Sequence, residues 1–128
     1  MPITGFADTG TVYVNGRETA RIASVEWKKH PKFEGVSTKD LFTGSQTDGL
    51  MSLMLVRIEP HHQIGDHIHQ GKAELHEIIA GQGTGIVGDT RVDYHPGVFS
   101  WIPADVLHRI EAGEAGLMLV AKFTPPLN

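Results

Sequence analysis

The sequence predicts an all-β fold, a single small barrel or sandwich, and three observations carry that prediction. Glycine and proline are plentiful, 15 and 7 among 128 residues, and turn signals recur at short intervals. No long stretch repeats apolar residues at helical spacing. Residues 51–58 and 117–123 instead place apolar side chains on both faces of an extended chain, the pattern of strands covered on each side. A chain of this length is expected to form one domain with a core large enough to stand alone.

The elements follow in order. Residues 11–14 and 17–23 flank Asn15-Gly16, a pair that readily takes the type I′ turn matching strand twist, so they read as a hairpin. Residues 28–35, with His30-Pro31, read as a loop. In 51–58, Ser52, Met54, Val56 and Ile58 share one face, and Met51, Leu53, Leu55 and Arg57 the other. Both faces are mostly apolar, so the outer one should be covered by the amino-terminal segment or by a second subunit. In 117–123, Leu117, Leu119, Ala121 and Phe123 share a face. Thr124-Pro125-Pro126 then ends pairing, because proline has no N–H to donate. Residues 1–48 are thus expected to pack as a hairpin and loop segment on a barrel built from 50–123, all within one domain spanning 1–128. No repeat, linker or low-complexity segment interrupts it.

Composition narrows the function. A formal charge of −4 without a Lys/Arg cluster argues against nucleic acid as a partner, since neutralising phosphates needs a basic surface. Without cysteine there is no disulfide framework, thiolate metal site or cysteine nucleophile. The opening MPITGFADTG has neither the basic nor the apolar region of a signal peptide. A cytoplasmic protein acting on a small solute, with no membrane partner, is the expectation.

The most specific feature is His67-Ile68-His69, followed by Glu74 and, far along the chain, His108 after Pro103-Ala104-Asp105. Histidines separated by one residue face the same side of a strand, so both imidazoles can reach one ion. An antiparallel return strand could bring in a carboxylate, and His108 would complete a mononuclear metal site. Glu77 rivals Glu74 here: Glu74 shares parity with His76, Ile78 and Ala80, Glu77 with Leu75 and Ile79, and parity alone does not choose.

The segment Pro60 to Gly85, PHHQIGDHIHQGKAELHEIIAGQGTG, resembles the first motif of the cupin family, His-x-His, then Glu, then Gly. Four residues separate His69 from Glu74 and six separate Glu74 from Gly81, the motif's own spacing, which selects Glu74 over Glu77. Gly97 to His108, GVFSWIPADVLH, is similar to the second motif. Three positions depart from the pattern: His61 and Asp105 stand where glycine is usual, and Ala112 where asparagine often follows. None is a ligand. The two glycine positions are turn sites favouring positive φ, which Asp tolerates better than His. The resemblance covers residues 50 to 123 well.

The resemblance implies a double-stranded β-helix, or jelly roll, holding one divalent transition metal on His67, His69, Glu74 and His108. Three imidazoles and a carboxylate suit Fe, Mn, Ni, Zn, Co or Cu, and not the all-oxygen shells of calcium or magnesium. It further implies a small-molecule enzyme, more often a homodimer. The preferred class is a non-haem metal dioxygenase acting on a chelating oxygen-donor substrate; His67-Ile68-His69-Gln70-Gly71 with Glu74 is also similar to the corresponding stretch of diketone-cleaving cupin dioxygenases. The alternatives are a non-redox isomerase, lyase or decarboxylase, with His76 or Tyr94 moving a proton, and a non-catalytic solute-binding cupin. His76 shares the parity of Glu74, which leaves it as a fifth ligand, an outer partner of the site or an interior histidine. His30, His61, His62 and His95 read as solvated loop residues, and Phe99 and Trp101 as core more than pocket lining.

Overall fold

A computed structural model describes residues 9–128. Its strands are β1 Thr11–Val14, β2 Arg17–Arg21, β3 Lys28–Lys29, β4 Val36–Phe42, β5 Ser52–Ile58, β6 Gln63–His67, β7 Ala73–Val87, β8 Thr90–Tyr94, β9 Phe99–Ile102 and β10 His108–Thr124. β1 and β2 form a separate hairpin, and the others run in the order β3-β4-β5-β10-β7-β8, with β6 also on β10 and β9 also on β7. Every pairing is antiparallel. No helix among the described residues is long and apolar enough to cross a membrane.

The long strands β7 and β10 close the jelly roll. The first part of β10 pairs with β6 and with the end of β7, while its second part, from Leu117, pairs with β5 and with the start of β7. Register shifts between Ala112 and Leu117, where the ladder bends from one half of the barrel into the other. Gly81 has φ 78° at this bend, and a Cβ there would collide with the Gly116 carbonyl. The motif glycine is therefore required twice, for its backbone and for the close approach.

The hairpin turns at Asn15 (φ 51°) and Gly16 (φ 76°), as the type I′ reading requires. β2 ends at Arg21 instead of residue 23, because Ile22 enters a single 3-10 turn and buries its side chain. The 28–35 segment is a loop except at Lys28–Lys29, which pairs with β4. β4 carries no apolar alternation to announce it: Lys39 is buried in its middle, with Nζ donating to the Ile22 carbonyl at 2.9 Å and lying over the Trp27 ring.

Two apolar layers result. Inside the barrel, Met54, Val56 and Ile58 of β5 meet Leu117, Leu119, Ala121 and Phe123 of β10. Outside, Val12 and Ile22 from the hairpin segment pack on Leu41, Leu55 and Val120. The amino-terminal segment thus covers the outer face that the sequence required to be covered. β9 differs from its reading: Ser100 and Ile102 turn inward beside His76 and Glu74, so Phe99 and Trp101 point out, 63% and 56% exposed. Neither is core.

Candidate metal centre

His67 closes β6 and pairs across to His108, the first residue of β10. β6 stops there, yet the alternation carries on to His69, whose ring centroid lies 4.7 Å from that of His67. The His67 and His108 rings are 4.1 Å apart and those of His69 and His108 5.4 Å. Glu74, near the start of β7, points inward with Oε1 at 3.1 Å from His108 Nε2 and 3.5 Å from His69 Nε2. One ligand atom from each of His67, His69, Glu74 and His108 lies within 4.8 Å of all the others. Glu77 faces the opposite side of β7 and is exposed, so the strand's period of two confirms Glu74 as the carboxylate of the cluster.

The loops that aim these ligands use the two glycine-like positions. His61 has φ 61° and Asp105 φ 67°, both in the left-handed region where the family pattern has glycine. Asp105 compensates with its side chain: Oδ1 accepts the Gly71 N–H at 2.9 Å, and its own N–H donates to the His69 carbonyl. The turn that presents His69 is thereby fastened to the turn before His108.

The hydrogen bonds settle which nitrogens face the cluster. His67 Nδ1 lies 2.7 Å from the Gly65 carbonyl and His108 Nδ1 2.9 Å from that of Val106. A carbonyl only accepts, so each Nδ1 carries the hydrogen and, when the ring is neutral, each Nε2 presents a lone pair. The His108 lone pair then confronts Glu74 Oε1, an arrangement that repels unless a proton or a cation stands between them. Donor set and tautomers both fit a divalent transition metal.

Protonation follows the same geometry. Burial pushes His67 down to about 4, despite its bond to the Gly65 carbonyl, and the neighbouring imidazoles push the same way. Burial also lowers His69. For His108 burial is opposed and outweighed by the hydrogen bonds to Glu74 and Val106, so its pKa is raised. Burial would raise Glu74, but the adjoining His76 and the hydrogen bonds it shares with the His108 and His76 rings hold it well below the usual carboxylate range.

His76 is fully buried and outside the cluster. Its Nε2 lies 2.8 Å from Glu74 Oε2, and its Nδ1 2.8 Å from the Tyr94 hydroxyl. With Tyr94 donating to Nδ1, the Nε2–H donates to the carboxylate and orients it. Burial pushes the Tyr94 hydroxyl up to about 12, so it keeps its proton. Neither side chain reaches the cavity beside the cluster.

That cavity measures about 230 Å³ and is bounded by His67, His69 and Glu74 on one wall. Most of the remainder is apolar, including Phe33, Val56, Ile110 and Phe123, with His30, Lys32 and Thr38 as polar members. His30, read from the sequence as a solvated loop residue, is partly exposed and lies on the cavity wall. Nothing in the pattern around His30-Pro31 marks that role, because only the folding of the 30–35 loop across the barrel creates it.

No match was found among curated proteins. Solved structures with the same fold include a predicted oxalate decarboxylase from Thermotoga maritima, 18% identical, covering 84% of this chain and 98% of that one, TM-score 0.77. A cupin-2 domain protein from Rhodospirillum rubrum is 21% identical over 83% of this chain and 73% of that one, TM-score 0.73. The polyketide cyclase RemF from Streptomyces resistomycificus is 15% identical over 84% and 78%, TM-score 0.70. The cupin domain family profile matches residues 54–121, which contain all four clustered residues. With motif spacing, jelly-roll topology and profile in agreement over more than half its length, the chain belongs to the cupin family.

Proposed function

We propose that this protein is a metal-dependent enzyme acting on a small, chelating oxygen-donor substrate, with dioxygenase chemistry as the preferred class. One observation carries the reading: three imidazoles and one carboxylate converge beside a mostly apolar cavity, with His67, His69 and Glu74 on its wall and His108 behind them. A closed structural clip would have no use for such a cavity. When bound, a divalent ion supplies Lewis acidity and a template for two oxygen donors, and a redox-active one also supplies reactivity with dioxygen.

The chain's own residues prepare that site. The Gly65 and Val106 carbonyls hold His67 and His108 in the ligating tautomer. His76 and Tyr94 act as positioning residues: they hold the Glu74 carboxylate, and any proton passing between substrate and His76 must travel by way of Glu74. The apolar walls admit a hydrocarbon body and exclude bulk water.

The buried Tyr94–His76–Glu74 chain also supports a second reading, a non-redox isomerase, lyase or decarboxylase in which that chain buffers a proton at the site's edge. Structures of the same fold include both a predicted decarboxylase and a cyclase. A solute-binding role without catalysis is the third. A cytoplasmic location belongs to the same reading, and the exposed Phe99 and Trp101 support a homodimer.

The test is anaerobic addition of a β-diketone, a catechol or an α-hydroxy acid to Fe²⁺-loaded protein. The expected result is a changed ligand-field or charge-transfer spectrum, lost in His108→Ala, and oxygen uptake when air is admitted. Chelation without oxygen uptake transfers the proposal to the non-redox class. No spectral change with any of the three leaves a metal-stabilised binding domain.

A further inference from the structure

The loop that begins at His30 takes no part in the metal cluster, yet His30, Lys32 and Phe33 all line the cavity beside it. His30 Nδ1 accepts the backbone N–H of Lys32 at 3.0 Å and of Phe33 at 3.2 Å. A neutral ring so engaged keeps its hydrogen on Nε2 and offers it as a fixed donor. Burial, together with the charge of Lys32, lowers the pKa of His30 and keeps the ring neutral.

Phe33 joins this loop to the metal site. Its ring packs 5.0 Å from His30 and 6.3 Å from His67, centroid to centroid. It lies so close over Gly65 that a Cβ there would come within 3.1 Å of the ring. The Lys32 ammonium sits 5.3 Å from the same ring. One aromatic ring therefore separates a cation and an N–H donor from a metal ligand.

Charge in the cavity is one-sided. Among the described residues lining it, Glu74 is the single carboxylate and is committed to the cluster, while Lys32 is the single permanent cation. Thr38 is the remaining polar side chain besides the histidines, and Leu127 of the returning carboxyl-terminal tail adds to the apolar wall. A volume of about 230 Å³ falls below the usual ligand-pocket range of about 300–1,000 Å³. The occupant must be short.

We propose that Lys32 and His30 form a carboxylate subsite, and that the substrate is a small acid with a chelating oxygen pair at one end and a carboxylate at the other. The oxygen pair faces His67, His69 and Glu74, the hydrocarbon between lies on Phe33, and the carboxylate takes the Lys32 ammonium and the His30 Nε2–H. The inference rests on the open metal site proposed above and adds the charge and polarity of what enters it.

Two probes separate the ideas. Succinylacetone and butyrylacetone carry the same β-dicarbonyl pair on the same chain length, and differ by a terminal carboxylate in place of a methyl. Their dissociation constants are measured on Co²⁺-loaded protein from the ligand-field spectrum, with oxygen excluded. The acid is expected to bind about fivefold tighter, the size of one partly exposed ion pair. Lys32→Met should abolish that preference while leaving butyrylacetone unchanged, and Lys32→Arg should keep it. Equal affinity for the two probes, or a preference surviving in Lys32→Met, overturns the subsite alone. If neither probe alters the Co²⁺ spectrum, the open metal site falls as well, and the two failures remain distinct.

Discussion

Glu74 divides its oxygens between two tasks, Oε2 taking the His76 N–H at 2.8 Å and Oε1 facing His108 and His69. Removing any of His67, His69, Glu74 or His108 by alanine should therefore strip most bound metal, whereas Glu77→Ala should keep it, as elemental analysis of the five variants will show. Tyr94→Phe leaves His76 Nδ1 without its donor, and metal affinity should fall about tenfold, at the low end of losses from outer partners of metal ligands. Proton competition gives a further test. In the metal-free protein His108 has a pKa raised above 6.5, and the ion must displace that proton. Metal affinity should thus be full above the His108 pKa and fall about tenfold per pH unit below it, one proton released per ion. His67, pushed down to about 4, adds a second proton only in acid. Isothermal titration with Zn²⁺ across this range checks the slope.

At the scale of elements, the bend in β7 and β10 is the feature most exposed to single changes. Gly81→Ala must adopt a left-handed φ and also push against the Gly116 carbonyl, which is backbone and cannot swing away. It should cost more than about 3 kcal/mol. Gly88 has φ 62° but open space around it, so Gly88→Ala should cost only about 1 kcal/mol. Urea denaturation of the pair separates collision from backbone strain. The amino-terminal hairpin makes a different contribution, covering Leu55 and Val120, which would otherwise present the outer face of the sheet to water. Its turn was legible because Asn-Gly has few other uses between two strands, while β4 escaped notice because Lys39 occupies a buried position in it.

For the whole molecule, Phe99 and Trp101 are the exposed apolar pair on the outward side of β9, with Leu75 opposite Trp101 on β7. The hairpin does not reach them among the packed residues of the outer layer. A two-fold contact through this edge would bury both rings, since self-complementary dimers are the commonest assemblies. Light scattering should then give twice the chain mass of 14.0 kDa, falling to the single value in Trp101→Glu with metal content unchanged. A monomer in the unsubstituted protein at micromolar concentration would remove the dimer proposal.

The sequence by itself determined the fold class and, through the motif spacing, the four residues that cluster as candidate ligands. Period-two alternation and turn residues act locally, and the His-x-His, Glu, Gly and His spacings depend only on how the chain doubles back. The left-handed turns at His61 and Asp105 were marked only by the motif, which usually has glycine at both positions. Glu74 against Glu77 needed the motif, and the register of β7 against β9 and β10 then agreed. Tertiary structure alone decided the rest: that His76 and Tyr94 hold Glu74, that His30 and Lys32 meet the cavity, and that Phe99 and Trp101 face outward. Each of these depends on which distant strands or loops become neighbours, and pairing between remote segments is set by the closing of the barrel, not by the residues beside them in the chain.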